Sequence, residues 1–266
     1  MDRDFTADGD PRRSLELLWG HQEPGRRGPK QRLSTETVVQ AAIALGDAEG
    51  LAALSMRRVA VAMGVSAMSL YTYVPSKAEL MDLMFDRALE GVADPGPEVQ
   101  GWRAKLVFIA RQRWALVERH PWLLDLALHR PPLGPNVVRK LEVMIDAFSE
   151  TGMAPQDISL AAEALQNYVT GAQKSARDAR AVEAESGITD AEWVEMLKPM
   201  LDQHMDRATY PALARMGEAR KPGQASSNAE RAERFEFGLE RMLDGLEAYI
   251  RAPLKTAPMV KPPSAA

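Results

Sequence analysis

Residues 55–77, SMRRVAVAMGVSAMSLYTYVPSK, constrain this chain more than any other stretch, because their spacing predicts two short amphipathic helices folded sharply against each other. Gly64, in Met63-Gly64-Val65, stands where the chain must turn, in a backbone state that glycine enters at little cost. Ser55 and Ser66 each precede a helix by one residue, where a hydroxyl accepts an otherwise free backbone N–H. Val59, Met63, Val65 and Leu70 are spaced to pack inward, which turns Arg57, Ala67, Ser69, Tyr71 and Thr72 outward. This is the layout of a helix-turn-helix, whose second helix enters a major groove. Ser76-Lys77-Ala78-Glu79 reads as a capping box that opens another helix, through about Val92. Upstream, Leu33 and Val38 bracket Ser34 as a hydrophobic staple, so a first helix starts near Thr35 and ends around Asp47.

The flanks extend the pattern. Residues 33–87 contain an AA-x-x-L-x-D-x-EGL helix end, the S-M-R-R-V-A helix and a G-V-x-x-M-S-L-Y-x-Y-V recognition helix, with Lys77 behind it. In these elements the segment resembles the N-terminal domain of the tetracycline-repressor (TetR) family of bacterial regulators, over about 55 contiguous residues. The remainder is similar only in its helical pattern. The resemblance implies that Lys77 and Tyr73 meet backbone phosphate. It also implies that the last helix pairs with the long preceding one in a four-helix bundle between subunits, and that a small molecule bound in the body shifts the DNA-reading heads.

Composition supports an all-α fold: a three-helix head joined by a linking helix to a larger helical regulatory domain. Ala, Leu, Met, Glu and Arg are abundant and runs of alternating β-branched residues are absent. The chain has no Cys, which removes disulfides, thiolate zinc sites and cysteine nucleophiles together. No apolar run has the length of a membrane span and the acidic start is unlike a signal peptide, so a cytoplasmic protein is expected. The net charge of −4 looks wrong for a DNA binder until it is divided. From Arg26 to Lys77 seven Lys/Arg stand against three acidic residues, a balance of +4, while the remaining 26 basic and 34 acidic residues leave −8. A basic segment on an acidic body suits one phosphate-facing surface.

Four segments follow. Residues 1–32 read as a flexible arm with one apolar cluster at Leu15, Leu17, Leu18 and Trp19 and a basic run from Arg26 to Arg32 that can reach phosphates. Residues 33–93 form the DNA-binding domain, ended by Asp94-Pro-Gly-Pro97. Residues 94–251 form the ligand-binding and dimerisation body, with helices over Trp102–Arg119, Pro121–Leu128, Val137–Thr151, Pro155–Val182, Asp190–Arg207 and a last one from the Ser227–Glu230 capping box to Arg251. The face of Trp102–Arg119 is imperfect, since position 113 in its apolar series is Arg. Residues 217–229 read as a mobile loop and 252–266 as a disordered tail.

DNA recognition needs positioning contacts and reading contacts. Lys77 opens a helix whose free N–H groups share a phosphate with its ammonium, Ser55 and Thr72 are further hydroxyl candidates, and Tyr73 joins them through the resemblance. Arg57 is suited to bidentate contact with guanine, Ala67 and Met68 to thymine methyls, Ser69 to a short hydrogen bond, and Tyr71 to the groove edge. Met68 and Tyr71 have plainer readings as packing residues. The domain alone buries little surface on DNA, so a homodimer on a palindromic operator is expected. Ile158, Leu165 and Val169 with Phe235, Leu239, Leu243, Leu246 and Ile250 supply the candidate dimer stripe, or else each chain's own core. Effector-lining candidates are Trp102, Phe108, Trp114, Trp122, Asn167, Tyr168 and Gln173, aromatic or polar groups on otherwise apolar helices. Asn167 leads, because a mid-face amide needs partners. His120, His129 and His204 lack ligand spacing, so neither metal nor cofactor is expected.

The pattern therefore implies a DNA-binding regulator, most simply a repressor released by a small-molecule effector. The alternative keeps the DNA-binding head and makes the body a docking module for a protein partner. Enzyme chemistry is disfavoured, for the chain has no glycine-rich phosphate loop, HExxH or GxSxG.

Overall fold

Serine caps set the helices of the N-terminal domain. The computed structural model describes residues 10–20, 33–126, 130–219 and 228–252. Helix α1 spans Pro11–Trp19, α2 Thr35–Glu49, α3 Met56–Met63, α4 Ala67–Tyr71 and α5 Lys77–Glu90. At the start of α2, Ser34 Oγ accepts the Thr37 N–H at 3.2 Å and Thr37 Oγ1 accepts the Ser34 N–H at 2.9 Å, a reciprocal cap. The hydroxyls of Ser55, Ser66 and Ser76 take the N–H groups of Arg58, Ser69 and Ala78. The expected box at Ser76–Glu79 takes another form, in which the Ser76 hydroxyl donates to the Glu79 carboxylate. Gly64 ends α3 in the left-handed conformation, φ +68° and ψ 32°, where a Cβ is penalised.

Helix α5 is the axis of the head. Leu80, Met81, Met84, Phe85, Ala88 and Leu89 on it are buried, together with Glu79, Asp82 and Asp86. A helix buried on nearly every side needs partners all round, and α1, α2 and a helix of the body supply them. The flexible reading of residues 1–32 is thereby corrected for part of its length. Leu17 and Leu18 of α1 pack on the head's core, Ser14 Oγ donates to Asp82 Oδ2 at 2.7 Å, and Trp19 Nε1 donates to the Leu133 carbonyl at 2.7 Å. Part of the apolar cluster was the signal: Leu17 and Leu18 form the inner face of the helix, while Leu15 and Trp19 are exposed. The Arg26–Arg32 run lies outside the described residues, as do His129, Ser227 and the tail from residue 253.

The body contains α6 (Trp102–Arg119), a 3₁₀ turn at Pro121–Asp125, α7 (Pro135–Asp146), α8 (Pro155–Ser186), α9 (Asp190–His204), α10 (Pro211–Ala219) and α11 (Asn228–Arg251). Helix α10 occupies the start of the stretch read as a loop. Leu106 and Ala110 of α6, Met144 of α7, Leu165 and Val169 of α8, and Phe235, Leu239 and Leu243 of α11 form the body's core. Arg103 and Arg111 tie α6 to α11 through Asp244 at 2.7 Å and Glu236 at 2.8 Å.

Two polar joints fasten body to head. Trp122, 1 % exposed, sits in the head's core and its Nε1 donates to Asp47 Oδ1 at 2.7 Å. Asp86 of α5 accepts the N–H groups of Asn136 and Val137 at 3.0 and 2.9 Å, capping α7 from another helix. Burial pushes the Asp86 carboxyl above its ordinary value, against the lowering effect of those hydrogen bonds. Among the described residues no helix is long and apolar enough to cross a membrane.

Candidate functional site

Helices α3 and α4 present one exposed surface. Arg57 is exposed and carries no hydrogen bond or ion pair among the described residues, whereas its neighbour Arg58 is bound to Glu49 at 2.6 Å. Val61, one turn beyond Arg57, is 74 % exposed, and Met68 on α4 is 76 % exposed. Both are large apolar side chains left open to solvent on these two helices. Tyr71 and Thr72 are exposed alongside, so the packing readings of Met68 and Tyr71 do not hold. Ala67 is half-buried, with its methyl group against the head's core, and is less open than expected. Ser69 is also half-buried, and its hydroxyl lies 2.8 Å from Ser66 Oγ, so a base would share it with the cap. Ser55, Tyr73 and Lys77 are half-buried at the edges of this surface, Lys77 as the first residue of α5. Val61 was missed because a lone valine at that spacing reads as core.

Against the head, the body holds an open-mouthed cavity of about 130 Å³. Phe85, Leu89, Val92 and Asp94 from α5 and its continuation form one wall. Ile109, Gln112, Arg113 and Leu116 of α6, Lys140, Val143 and Met144 of α7, and Gln166 of α8 complete it. At its rim Asp94 pairs with Lys140 and with Arg139, the latter at 2.6 Å. Burial pushes the Asp94 carboxyl up, but the hydrogen bonds and charges of Lys140 and Arg139 hold it below its ordinary value.

None of the seven effector candidates lines this cavity. Trp102 and Phe108 are half-buried on α6, Trp102 against the body's core. Trp114 lies against Phe235 with ring centroids 4.5 Å apart, and Tyr168 OH donates to the Phe235 carbonyl at 2.6 Å. Trp122 belongs to the head's core, as described. Asn167 is exposed, and the amide facing the cavity is its neighbour Gln166; a shift of one residue rotates a helical side chain by about 100°. Gln173 Nε2 donates to the carbonyls of Arg113 and Trp114 at 3.0 and 3.1 Å. Trp114 and Gln173 do line a separate cleft with Ala176 and Arg177. The one sequence signal for the cavity was Arg113, the basic residue in an apolar series.

The expected dimer stripe is corrected as well. Leu165, Val169, Phe235, Leu239 and Leu243 are buried inside one chain, where α8 and α11 pack on each other, and Ile158 and Leu246 lean on the same core. Ile250 is half-buried. The central residues of the two stripes, Leu165 and Val169 with Phe235, Leu239 and Leu243, cover each other inside one chain. The outward faces carry other residues: Leu160, Ala164, Asn167 and Gly171 on α8, and Phe237, Arg241, Gly245 and Ala248 on α11, all exposed.

A helix-turn-helix head fused to a helical body, with an open cavity against the head, defines a DNA-binding transcriptional regulator. Residues 38–84 match the family model of bacterial regulatory proteins, tetR family, and residues 94–250 match the tetracyclin repressor-like C-terminal domain. The chain is 40 % identical over 248 residues to the HTH-type transcriptional repressor DrrR1 of Streptomyces coeruleorubidus, covering 92 % of this chain and 88 % of that one. It is 30 % identical over 244 residues to the HTH-type transcriptional repressor Rv1353c of Mycobacterium tuberculosis, covering 88 % of each. Among solved structures it is similar to ActR of Streptomyces coelicolor in complex with actinorhodin, with TM-score 0.67 and 28 % identity over 85 % of this chain and all of the other. The ActR complex with (S)-DNPA is similar at TM-score 0.64. The chain belongs to the tetR family of bacterial regulatory proteins.

Proposed function

We propose that this regulator binds a palindromic operator as a homodimer and releases it when a small molecule fills the cavity between α5, α6 and α7. The observation that carries this reading is the shared wall: Phe85 and Leu89 bound the cavity, and the same helix begins at Lys77 beside the DNA-reading surface. A ligand that fits the cavity in only one position of α5 weakens DNA binding by its preference for that position. The ligand-bound forms of ActR, holding actinorhodin and (S)-DNPA, support a small-molecule effector over a protein partner.

On DNA, Lys77, Ser55, Thr72 and Tyr73 meet phosphate, Arg57 meets a guanine edge, and Ala67, Met68, Ser69 and Tyr71 follow along the groove, with Val61 adding apolar contact. The exposed faces of α8 and α11 join the two subunits. The test is selection of bound duplexes from a random pool at near-physiological salt, followed by operator titration with candidate compounds. A palindrome with half-sites in phase, released by a compound that also raises the melting temperature, is the expected result. Absence of an enriched sequence refutes sequence-specific operator binding. An operator complex that no compound loosens, but that a captured protein does, favours the docking body.

A further inference from the structure

Arg113 is the odd residue of the cavity. It lies in the middle of α6 at a position the apolar series reserves for core, and its guanidinium forms no hydrogen bond or ion pair among the described residues. Its Nε is buried without a partner. The cavity's other charges are already matched, since Lys140 is paired with Asp94 at the rim, and Gln112 and Gln166 are neutral. Around it stand Phe85, Leu89, Ile109, Leu116 and Met144, which offer a cation no compensation. Burial accordingly pulls the guanidinium below its ordinary value, with no opposing carboxylate. Arg113 as a whole is half-buried, with its Nε enclosed; a charge partly withdrawn from water without a counter-ion still has a cost, and Arg remains charged at physiological pH. The cost is removed when something else brings the anion.

We propose that Arg113 is the specificity residue of the cavity and that the effector is a largely apolar molecule with one acidic group, a carboxylate, that pairs with this guanidinium. This rests on the reading of the cavity as the effector site. The fork of N–H donors suits a two-oxygen anion, and such a charge-assisted pair is stronger in an apolar enclosure than at a surface. The remaining apolar walls take up the rest of the molecule.

The experiment uses the full-length protein and two dyes of one skeleton, anilinonaphthalene sulfonate, which is anionic, and N-phenylnaphthylamine, which is neutral. Fluorescence titration of the wild type is expected to favour the anion by roughly tenfold or more, the range of a hydrogen bond to a charged group. In Arg113→Met that preference disappears while the neutral dye still binds, and the dye-free protein melts no lower, because an uncompensated charge has been removed. Val143→Trp, which fills the cavity from α7, abolishes binding of both dyes. If both dyes bind the wild type equally and Val143→Trp still removes them, the cavity is the site and the acidic effector is refuted. If Val143→Trp leaves both titrations unchanged, the cavity reading fails, and the proposal with it.

Discussion

Trp122→Phe, made alone and combined with Asp47→Ala, measures how firmly the body holds the head. The indole Nε1 lies 2.7 Å from Asp47 Oδ1, an acceptor that His120 Nδ1 also approaches, at 2.8 Å. A hydrogen bond to a charged group contributes about 1.5–3 kcal/mol. His120 and partial solvent access remain to Asp47 after the change, so the lower end, about 1.5 kcal/mol, applies. The indole also packs on Gly46, where an added Cβ would lie 3.1 Å from Trp122 Cδ1. A phenyl ring leaves a gap on the order of 40 Å³ there, and at about 24 cal/mol per Å³ this costs about 1 kcal/mol more. Trp122→Phe should therefore lower the unfolding free energy by about 2.5 kcal/mol in guanidinium titrations. The double variant should lose about 1–1.5 kcal/mol less than the two single losses added together, the coupling typical of residues in contact. Strict additivity within about 0.3 kcal/mol would refute the joint.

Lys77→Ala should weaken binding to all duplexes alike and flatten the slope of log affinity against log salt by about one unit; an unchanged slope removes Lys77 from the phosphate contacts. Arg57→Ala should relax choice at particular base pairs by about 1–3 kcal/mol each, read by repeating the duplex selection. Because the Asp94 carboxyl is held below its ordinary value, its contribution is present above the unfolded value and is lost as pH falls through the folded one. Asp94→Asn should accordingly shed part of the acid limb of a stability–pH profile, and an unchanged limb shows that the rim pair with Lys140 contributes nothing.

How much of this could be read in the sequence depended on how local the signal was. The caps at Ser34, Ser55 and Ser66, the turn at Gly64 and the bounds of Trp102–Arg119 follow from spacings of a few residues, and each element forms where those residues place it. Faces in the body were harder to assign. The stripes on α8 and α11 were visible, but an apolar stripe states only that it must be covered, not whether by its own chain or another. Asn167 failed for a related reason: whether position 166 or 167 meets the cavity depends on the rotation of α8, which α11 sets through tertiary packing. Trp122 looked like a pocket aromatic because nothing near it in sequence reveals Asp47, 75 positions earlier. The apolar cluster from Leu15 to Trp19 shows in the sequence, but that Leu17 and Leu18 belong to a docked helix depends on partners from distant elements, Asp82 for Ser14 and the Leu133 carbonyl for Trp19.

The outer faces of α8 and α11, proposed above as the subunit interface, carry two glycines that contacts within the single chain do not explain. Gly238 is accounted for, since a Cβ there would meet the Tyr168 hydroxyl at 2.3 Å. Gly171 and Gly245 have open space at the same position, yet both interrupt long helices, where glycine costs about 0.8–1 kcal/mol relative to alanine. Absence of a side chain is useful on an open helical face when another helix must come close. Gly171→Leu and Gly245→Leu should therefore divide two properties that a core residue would change together. Each variant should retain or gain intrinsic helix stability, by about 0.8 kcal/mol, while sedimenting as a monomer and losing operator affinity. Leu239→Ala, in the stripe now placed inside the chain, should instead lower stability by about 2–5 kcal/mol. If the glycine variants sediment as dimers and hold the operator as before, the subunits meet elsewhere. The exposed Phe237 and Leu160 would then need another partner.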